Sequence, residues 1–318
     1  MSTNNRHIKI VERVSTRLKL RQLQLLVAIE NRRSILRASE DLHMSQPAAT
    51  KLLKDLEIDF DVRLFDRTNR GVVPTPFGEA LVRHGKLVLA QISHAAQELD
   101  DLNDGLGGRI VVGTLLTASA KLLPKAIAMV RQSRPNVSIV VRDGPNDILI
   151  PMLMAGDLDM VIGRLPEYRY REDVIQEVLY RERIVIVCGA GNKIASDTGL
   201  SWSRLAQQNW ILPPVQTTLR RQIDKEFFDS GVSPPTNAVE CVSYLTNRQL
   251  LTDSDMLCIL PFDVVELEVE RGTLQVVPFD LSISNGPVGV SHRGHENLTP
   301  AAMRFLEELH RQAKDVVP

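Results

Sequence analysis

The sequence predicts an α/β protein with a small winged helix-turn-helix domain, all-α apart from the wing, ahead of a two-lobed α/β domain. Three observations predict it. Apolar residues recur at helical spacing through the first sixty positions, aliphatic runs alternate with helical segments after Arg109, and charge is divided between the two regions. Residues 1–75 hold 14 Lys and Arg against 9 Asp and Glu, whereas the remainder holds 24 against 30, although the whole chain is near neutral at −1. A basic segment of this kind suits a polyanion such as DNA, because phosphate neutralisation needs local cations. At 318 residues the chain has room for about two domains. Its 43% hydrophobic content supports a packed core and excludes a mainly disordered chain, and 4% aromatics disfavours a base-stacking platform.

From Leu20 to Ile29, Leu20, Leu23, Leu26, Val27 and Ile29 mark a first amphipathic helix. Ser34 caps a second, with Ile35, Ala38 and Leu42 on one face, and His43-Met44 makes a short break. Ser45 caps a third helix that carries Pro47 in its first turn and buries Ala49, Leu52 or Leu53, and Leu56. Helix, tight turn and capped helix form the pattern whose later helix enters a DNA major groove. On its outer face Gln46 can pair with adenine, the Thr50 methyl can meet a thymine methyl, Lys51 can reach guanine or phosphate, and Ala48 permits close approach. The alternative is a face that is only solvated.

Leu64 to Pro76 reads as two short strands around a polar turn, with Gly71 supplying an unusual φ and Pro74 keeping the hairpin short. Arg67 and Arg70 near its tip suit phosphate or minor-groove contacts. From Thr75-Pro76 a helix runs to the Gly105, Gly107 and Gly108 cluster. Leu81, Gly85, Val88, Ile92, Ala95, Leu99 and Leu102 recur at alternating steps of four and three, a coiled-coil seam that predicts a homodimer. The alternative is packing on its own chain. The expected boundaries are residues 16–75 for DNA binding, 76–104 for the linker helix and 108–318 for the effector domain.

In that last domain, strands at Arg109–Gly113, Val137–Val141 and Met160–Gly163 alternate with helices, as in a parallel sheet. Strands at Ile184–Cys188, Trp210–Leu212 and Met256–Leu260, with a helix over Thr218–Phe228, make a second lobe. Val288–Val290 and a helix from Pro300 to about Lys314 close the domain. Ligands of open α/β sheets sit at strand carboxyl ends, which selects Thr114, Leu115, Thr117 and Ser119 after the first strand, Arg164 after the third, and Gln216, Thr217 and Thr218 before a second-lobe helix. Arg164 can pair with a carboxylate or phosphate. The alternative for the hydroxyls is that they only cap helices.

No Gly-x-Ser-x-Gly elbow, Walker loop, His-Glu-x-x-His or complete dinucleotide fingerprint occurs, so no enzyme, catalytic residue or cofactor is expected. His292 and His295 fall on a predicted loop with no third ligand evident, so they read as surface histidines and no metal is expected. Cys188, Cys241 and Cys258 are odd in number and lack Cys-x-x-Cys spacing, and read as buried thiols. Neither a secretory segment nor an 18-residue apolar run is present, so a cytoplasmic protein without a membrane partner is expected. A solute-binding receptor would need that leader, and an α/β enzyme would need the missing motifs.

The run from Ser34 to Leu42, Ser45-Gln46-Pro47-Ala48-Ala49-Thr50-Lys51, Leu64-Phe65-Asp66-Arg67 and Thr75-Pro76-Phe77-Gly78 strongly resembles the LysR-type transcriptional regulators. Gly108-Arg109-Ile110-Val111-Val112-Gly113, Leu122-Leu123-Pro124 and Gly156-Asp157-Leu158-Asp159 extend the resemblance to that family's effector domain. The resemblance implies a winged helix-turn-helix, a dimerising helix and a two-lobed domain similar to periplasmic binding proteins, with a small metabolite between the lobes. It implies homodimers that assemble to homotetramers, bend double-stranded promoter DNA and act on RNA polymerase. The implied DNA-facing set is Ser34, Ser45, Gln46, Pro47, Ala48, Thr50, Lys51, Arg67 and Arg70, and the cleft residues named above match the family approximately. The chain also resembles the subgroup governing sugar and aromatic-acid catabolism, so a sugar or an organic or aromatic acid is the expected effector. Lys51, Ala49 and Pro74 depart from the commoner Arg, larger aliphatic and Leu, which puts sequence preference and wing shape in doubt.

Overall fold

Helix α1 (Leu20–Arg32) buries Gln22, Leu23, Leu25, Leu26 and Ile29, a stripe at helical spacing. Leu20 is 40% exposed, unlike the expected core position, because it precedes Leu25 by five residues and points about 140° away from that face. Helix α2 (Ile35–Asp41) starts at Ser34, whose Oγ accepts the Arg37 amide at 3.4 Å. Helix α3 (Gln46–Phe60) starts at Ser45, whose Oγ accepts the Ala48 amide at 3.4 Å, and it buries Ala49, Leu53 and Leu56. Arg32 clasps Asp41 through two hydrogen bonds of 2.6 and 2.9 Å and fixes α1 against α2. That bonded guanidinium holds the Asp41 carboxyl below the usual carboxylate range.

The computed structural model describes residues 16–69, 71–104, 107–165, 174–283 and 286–315, so Arg70 and Gly105 lie outside the described residues. Strands β1 (Phe65–Thr68) and β2 (Gly71–Pro74) pair antiparallel, Thr68 opposite Gly71 and Phe65 opposite Pro74. Gly71 has φ +105°, and a Cβ there would lie 2.6 Å from the Arg33 carbonyl oxygen. The same oxygen accepts the Val72 amide at 2.9 Å, so the hairpin is sewn to the end of α1. Helix α4 (Pro76–Asp104) buries Val82 and Gly85 beside the N-terminal core, and Lys86 pairs with Glu30 at 2.8 Å. Further along the seam Val88 and Ile92 are each 45% exposed and Leu99 is 64% exposed, while the Leu102 side chain lies outside the description.

The chain divides into two compact units, Met1–Leu99 with Met154–Asp157, and Asp100–Leu153 with Leu158–Pro318. In the second, β3 (Arg109–Thr114) leads through α5 (Leu116–Ala120) and α6 (Leu122–Ser133) to β4 (Ser138–Asp143), then α7 (Asn146–Ala155) and β5 (Met160–Arg164). Strand β6 (Ile175–Glu182) completes this run and β7 (Ile184–Gly189) opens the other sheet. There follow β8 (Trp210–Leu212), α8 (Thr218–Asp229), β9 (Val239–Glu240), α9 (Tyr244–Asp253), β10 (Leu257–Pro261), α10 (Phe262–Glu270) and β11 (Leu274–Val276). The chain then returns as β12 (Gly286–His292) and ends with α11 (Pro300–Ala313).

The sheet orders are β4-β3-β5-β12-β6 and β11-β7-β10-β8-β9. Strand β3 runs parallel to β4 and β5, as expected of those three strands, but both sheets are mixed: β12 runs antiparallel to β5 and β6, and β7 antiparallel to β10 and β11. The reason is connectivity. Strand β12 comes back from the other lobe and so enters its sheet from the opposite end. All six residues of β7 are buried, Ile184, Ile186 and Cys188 in one core and Val185 and Val187 in another, as expected of a strand covered on both faces. Trp202 packs on Phe227 at 4.4 Å and on Phe279 at 5.1 Å, and Trp210 meets Phe227 at 6.0 Å. In the first lobe, Ile110, Met160, Ile162, Val288 and Val290 of the sheet pack with Leu122, Val130, Phe305 and Leu309 of the helices.

His292 is not a surface loop residue. It is the last residue of β12 and is fully buried, because the strand runs two residues beyond the predicted Val288–Val290 segment. Cys188 and Cys258 are buried as expected, and burial pushes their thiols up to about 11 and about 12. Cys241, in contrast, is only half-buried, since it follows the short outer strand β9. Among the described residues no helix is long and apolar enough to cross a membrane.

Candidate functional site

Packing Ala49, Leu53 and Leu56 inward turns the rest of α3 outward. Gln46, Pro47, Ala48 and Lys51 are exposed, and Thr50 is half-buried beside Ala49. Ser45 is exposed and Ser34 half-buried. Each uses an oxygen lone pair on its helix amide, which leaves the hydroxyl proton able to donate outward. Arg67 projects from β1 with Asp66 and Thr68, while only Phe65 of that strand turns inward. The exposed positions of this small domain therefore offer amide, methyl, hydroxyl and cationic groups, which are the chemical types that read base edges and grip phosphate.

The second unit contains a cavity of about 740 Å³, a size that suits a small organic ligand. Thr114, Leu115, Thr117, Ser119 and Arg164 line it from the first lobe, and Gln216, Thr217 and Thr218 line it from the second. The sequence pattern selected these eight because they follow strand ends or precede helix starts, and the two sheets aim those ends at the same space. Many of their polar groups are already engaged. Thr217 Oγ1 donates to the Pro214 carbonyl at 2.8 Å and accepts the Arg220 amide at 3.2 Å. Thr114 and Ser119 hydroxyls lie 3.2 Å apart, and Arg221 reaches the Gln216 carbonyl at 2.8 Å and the Thr218 hydroxyl at 3.2 Å.

Arg164 does find a carboxylate, but one belonging to its own chain. Its Nη1 donates to Glu182 Oε1, its Nη2 donates to the Ile283 carbonyl at 3.2 Å, and Thr117 Oγ1 donates to Glu182 Oε2 at 2.6 Å. Pairing explains the meeting. Strand β12 separates β5 from β6, and at its first residue, Gly286, a Cβ would lie 2.5 Å from the Arg164 guanidinium carbon. The glycine leaves the guanidinium room to cross β12. Burial pushes the Glu182 carboxyl above its usual range, against the pull of Arg164 and the bond from Thr117.

Sequence reasoning missed several lining residues, among them Glu182, Ser243, Tyr244 and Asn247. Ser243 caps α9 by accepting the Thr246 amide, so its cap was the available signal. Glu182 left none, because its strand alternates poorly between exposed and buried positions.

Two family models match the chain: a bacterial regulatory helix-turn-helix protein of the lysR family over residues 20–79, and a LysR substrate binding domain over residues 103–314. The transcriptional regulator GbpR of Azospirillum brasilense is 32% identical over 303 residues, spanning 95% of this chain and 88% of that protein. PcaQ of Agrobacterium fabrum is 31% identical over 281 residues, spanning 88% and 90% respectively. The crystal structure of full-length CbnR in complex with its target DNA shares the fold, with a TM-score of 0.63 at 18% identity over 93% of this chain and all of that one. With a helix-turn-helix and a ligand-sized cavity in the corresponding regions, this chain belongs to the LysR family of DNA-binding transcriptional regulators.

Proposed function

We propose that the chain senses a small metabolite in the 740 Å³ cavity and passes its occupancy to promoter DNA held by the N-terminal domain. The observation that carries this reading is the convergence of Thr114, Thr117, Ser119 and Arg164 from one lobe with Gln216, Thr217 and Thr218 from the other on one space. The functional divisions are residues 16–75 for DNA, 76–104 for dimerisation and 108–318 for the effector, which is a sugar or an organic or aromatic acid. Gln46, Pro47, Ala48, Thr50 and Lys51 face the major groove, Ser34 and Ser45 donate to phosphate, and Arg67 and Arg70 serve the wing. The regulator works in the cytoplasm as a homodimer that assembles to a homotetramer and acts on RNA polymerase. It senses its ligand without turning it over. A ligand shifts the outcome only through unequal affinity for two assembly states.

Capture of genomic DNA on the purified full chain, followed by sequencing, tests the DNA reading and points to the effector through the genes recovered. Gln46→Ala is expected to relax sequence preference, whereas Lys51→Ala is expected to weaken binding across sequences and lower the salt slope by about one. An unchanged preference in Gln46→Ala refutes the assignment of α3. Added sugars and acids that bind should change the affinity for the recovered promoters, and binding without any such change refutes the sensor.

A further inference from the structure

Three of the chain's seven histidines, His292, His295 and His310, converge on one carboxylate, that of Glu177. They come from separate places: Glu177 from β6, His292 from the end of β12, His295 from the turn His295–Asn297 and His310 from α11. Glu177 Oε1 lies 2.7 Å from His292 Nε2 and 3.3 Å from His295 Nε2, and Oε2 lies 2.7 Å from His310 Nε2. The donor atoms of Glu177, His292 and His295 all fall within 4.8 Å of one another. Around a tetrahedral zinc with bonds of about 2.0–2.2 Å, neighbouring donors stand roughly 3.3–3.5 Å apart, so Glu177 and His295 already have that spacing.

We propose that Glu177, His292 and His295 bind a divalent cation of the zinc class, with water completing the shell and His310 holding the carboxylate in place. Two imidazoles with one carboxylate suit zinc, whereas magnesium takes an oxygen shell. His295 Nδ1 lies 3.5 Å from Met303 Sδ, and its Nε2 faces Glu177 Oε1 across 3.3 Å. His292 Nδ1 accepts the Gly294 amide at 3.2 Å, so without the cation its proton sits on Nε2. Capture moves that proton to Nδ1 and gives up the amide contact. Gly294, at φ +105° and without a side chain, has the backbone latitude for this.

The site is separate from the cavity. Across the same β6–β12 ladder Glu177 pairs with Val290 and Glu182 with Gly286, about 16 Å apart along the strand.

The test uses the untagged full chain, stripped with chelator, loaded with zinc sulfate and dialysed, with bound metal measured by atomic emission. One zinc per chain is expected for the natural protein, and less than a tenth of that for Glu177→Gln and His295→Ala. His295 is exposed, so its variant keeps the fold, which circular dichroism checks. Cobalt in place of zinc is expected to give the visible absorption of a four-coordinate nitrogen and oxygen site. Equal zinc retention by the natural protein and His295→Ala overturns the proposal, as does a near-ultraviolet sulfur-to-cobalt band, which would place the ion on cysteine.

Discussion

Arg164 touches both passages between the lobes, since it pairs with Glu182 just before the chain leaves the first sheet and with the Ile283 carbonyl on the way back. Removing it strands a buried carboxylate. Arg164→Met is expected to cost about 3 kcal/mol at neutral pH in a denaturant titration, and the double change with Glu182→Met is expected to recover most of it. The pH dependence has a definite sign. Glu182 titrates above its unfolded value, so its contribution is fully present below about pH 4.3 and is lost as pH rises through the folded value. Without Arg164 that loss deepens, so the variant should approach the natural protein as the medium is acidified. Gly286→Ala should displace the guanidinium, because its Cβ falls on the atoms that pair with Glu182, and should lower melting temperature along with ligand affinity. Arg164 was legible in sequence from its place at a strand end. Its partner was not, because the meeting of Arg164 and Glu182 depends on β12 pairing with both strands, which no local pattern encodes.

Among elements, the wing owes its placement to the backbone. Gly71→Ala puts a Cβ where the Arg33 carbonyl sits, so it should accelerate hydrogen exchange at the Val72 amide and weaken DNA binding while α3 stays intact. Ser45→Ala should lower the stability of the N-terminal domain by about 1 kcal/mol through loss of the cap. Elements with strong punctuation were readable: Ser34, Ser45 and Pro47 fixed two helix starts, and aliphatic runs marked β3, β5, β7 and β10. Strand β6 was missed because exposed Ile175 and Val178 blur its alternation, and α9 because its buried face is narrow, with only Asn247 and Leu251 buried. Helix α10 follows β10 after Pro261 without a loop, so no turn signal separates them.

For the whole molecule, the seam of α4 changes in exposure along its length. Gly85 is buried against the N-terminal core, whereas Val88, Ile92 and Leu99, further along the helix, stay exposed. A stripe of that spacing fits a second copy of the same helix. If the proposed homodimer forms on this stripe, Ile92→Asp is expected to convert it to monomers in sedimentation velocity and to lower operator affinity with it. Retention of the dimer would assign the stripe elsewhere. The two-lobed plan was visible in the strand and helix alternation, but the mixed sheets were not, since the return of β12 is a long-range event.

Both tryptophans of the chain, Trp202 and Trp210, stack around Phe227 in the second lobe. Intrinsic indole emission is therefore blind to the DNA reader and to the first lobe. A fluorescence melt of the intact regulator follows one half of the sensor, and events elsewhere need an introduced fluorophore to be seen.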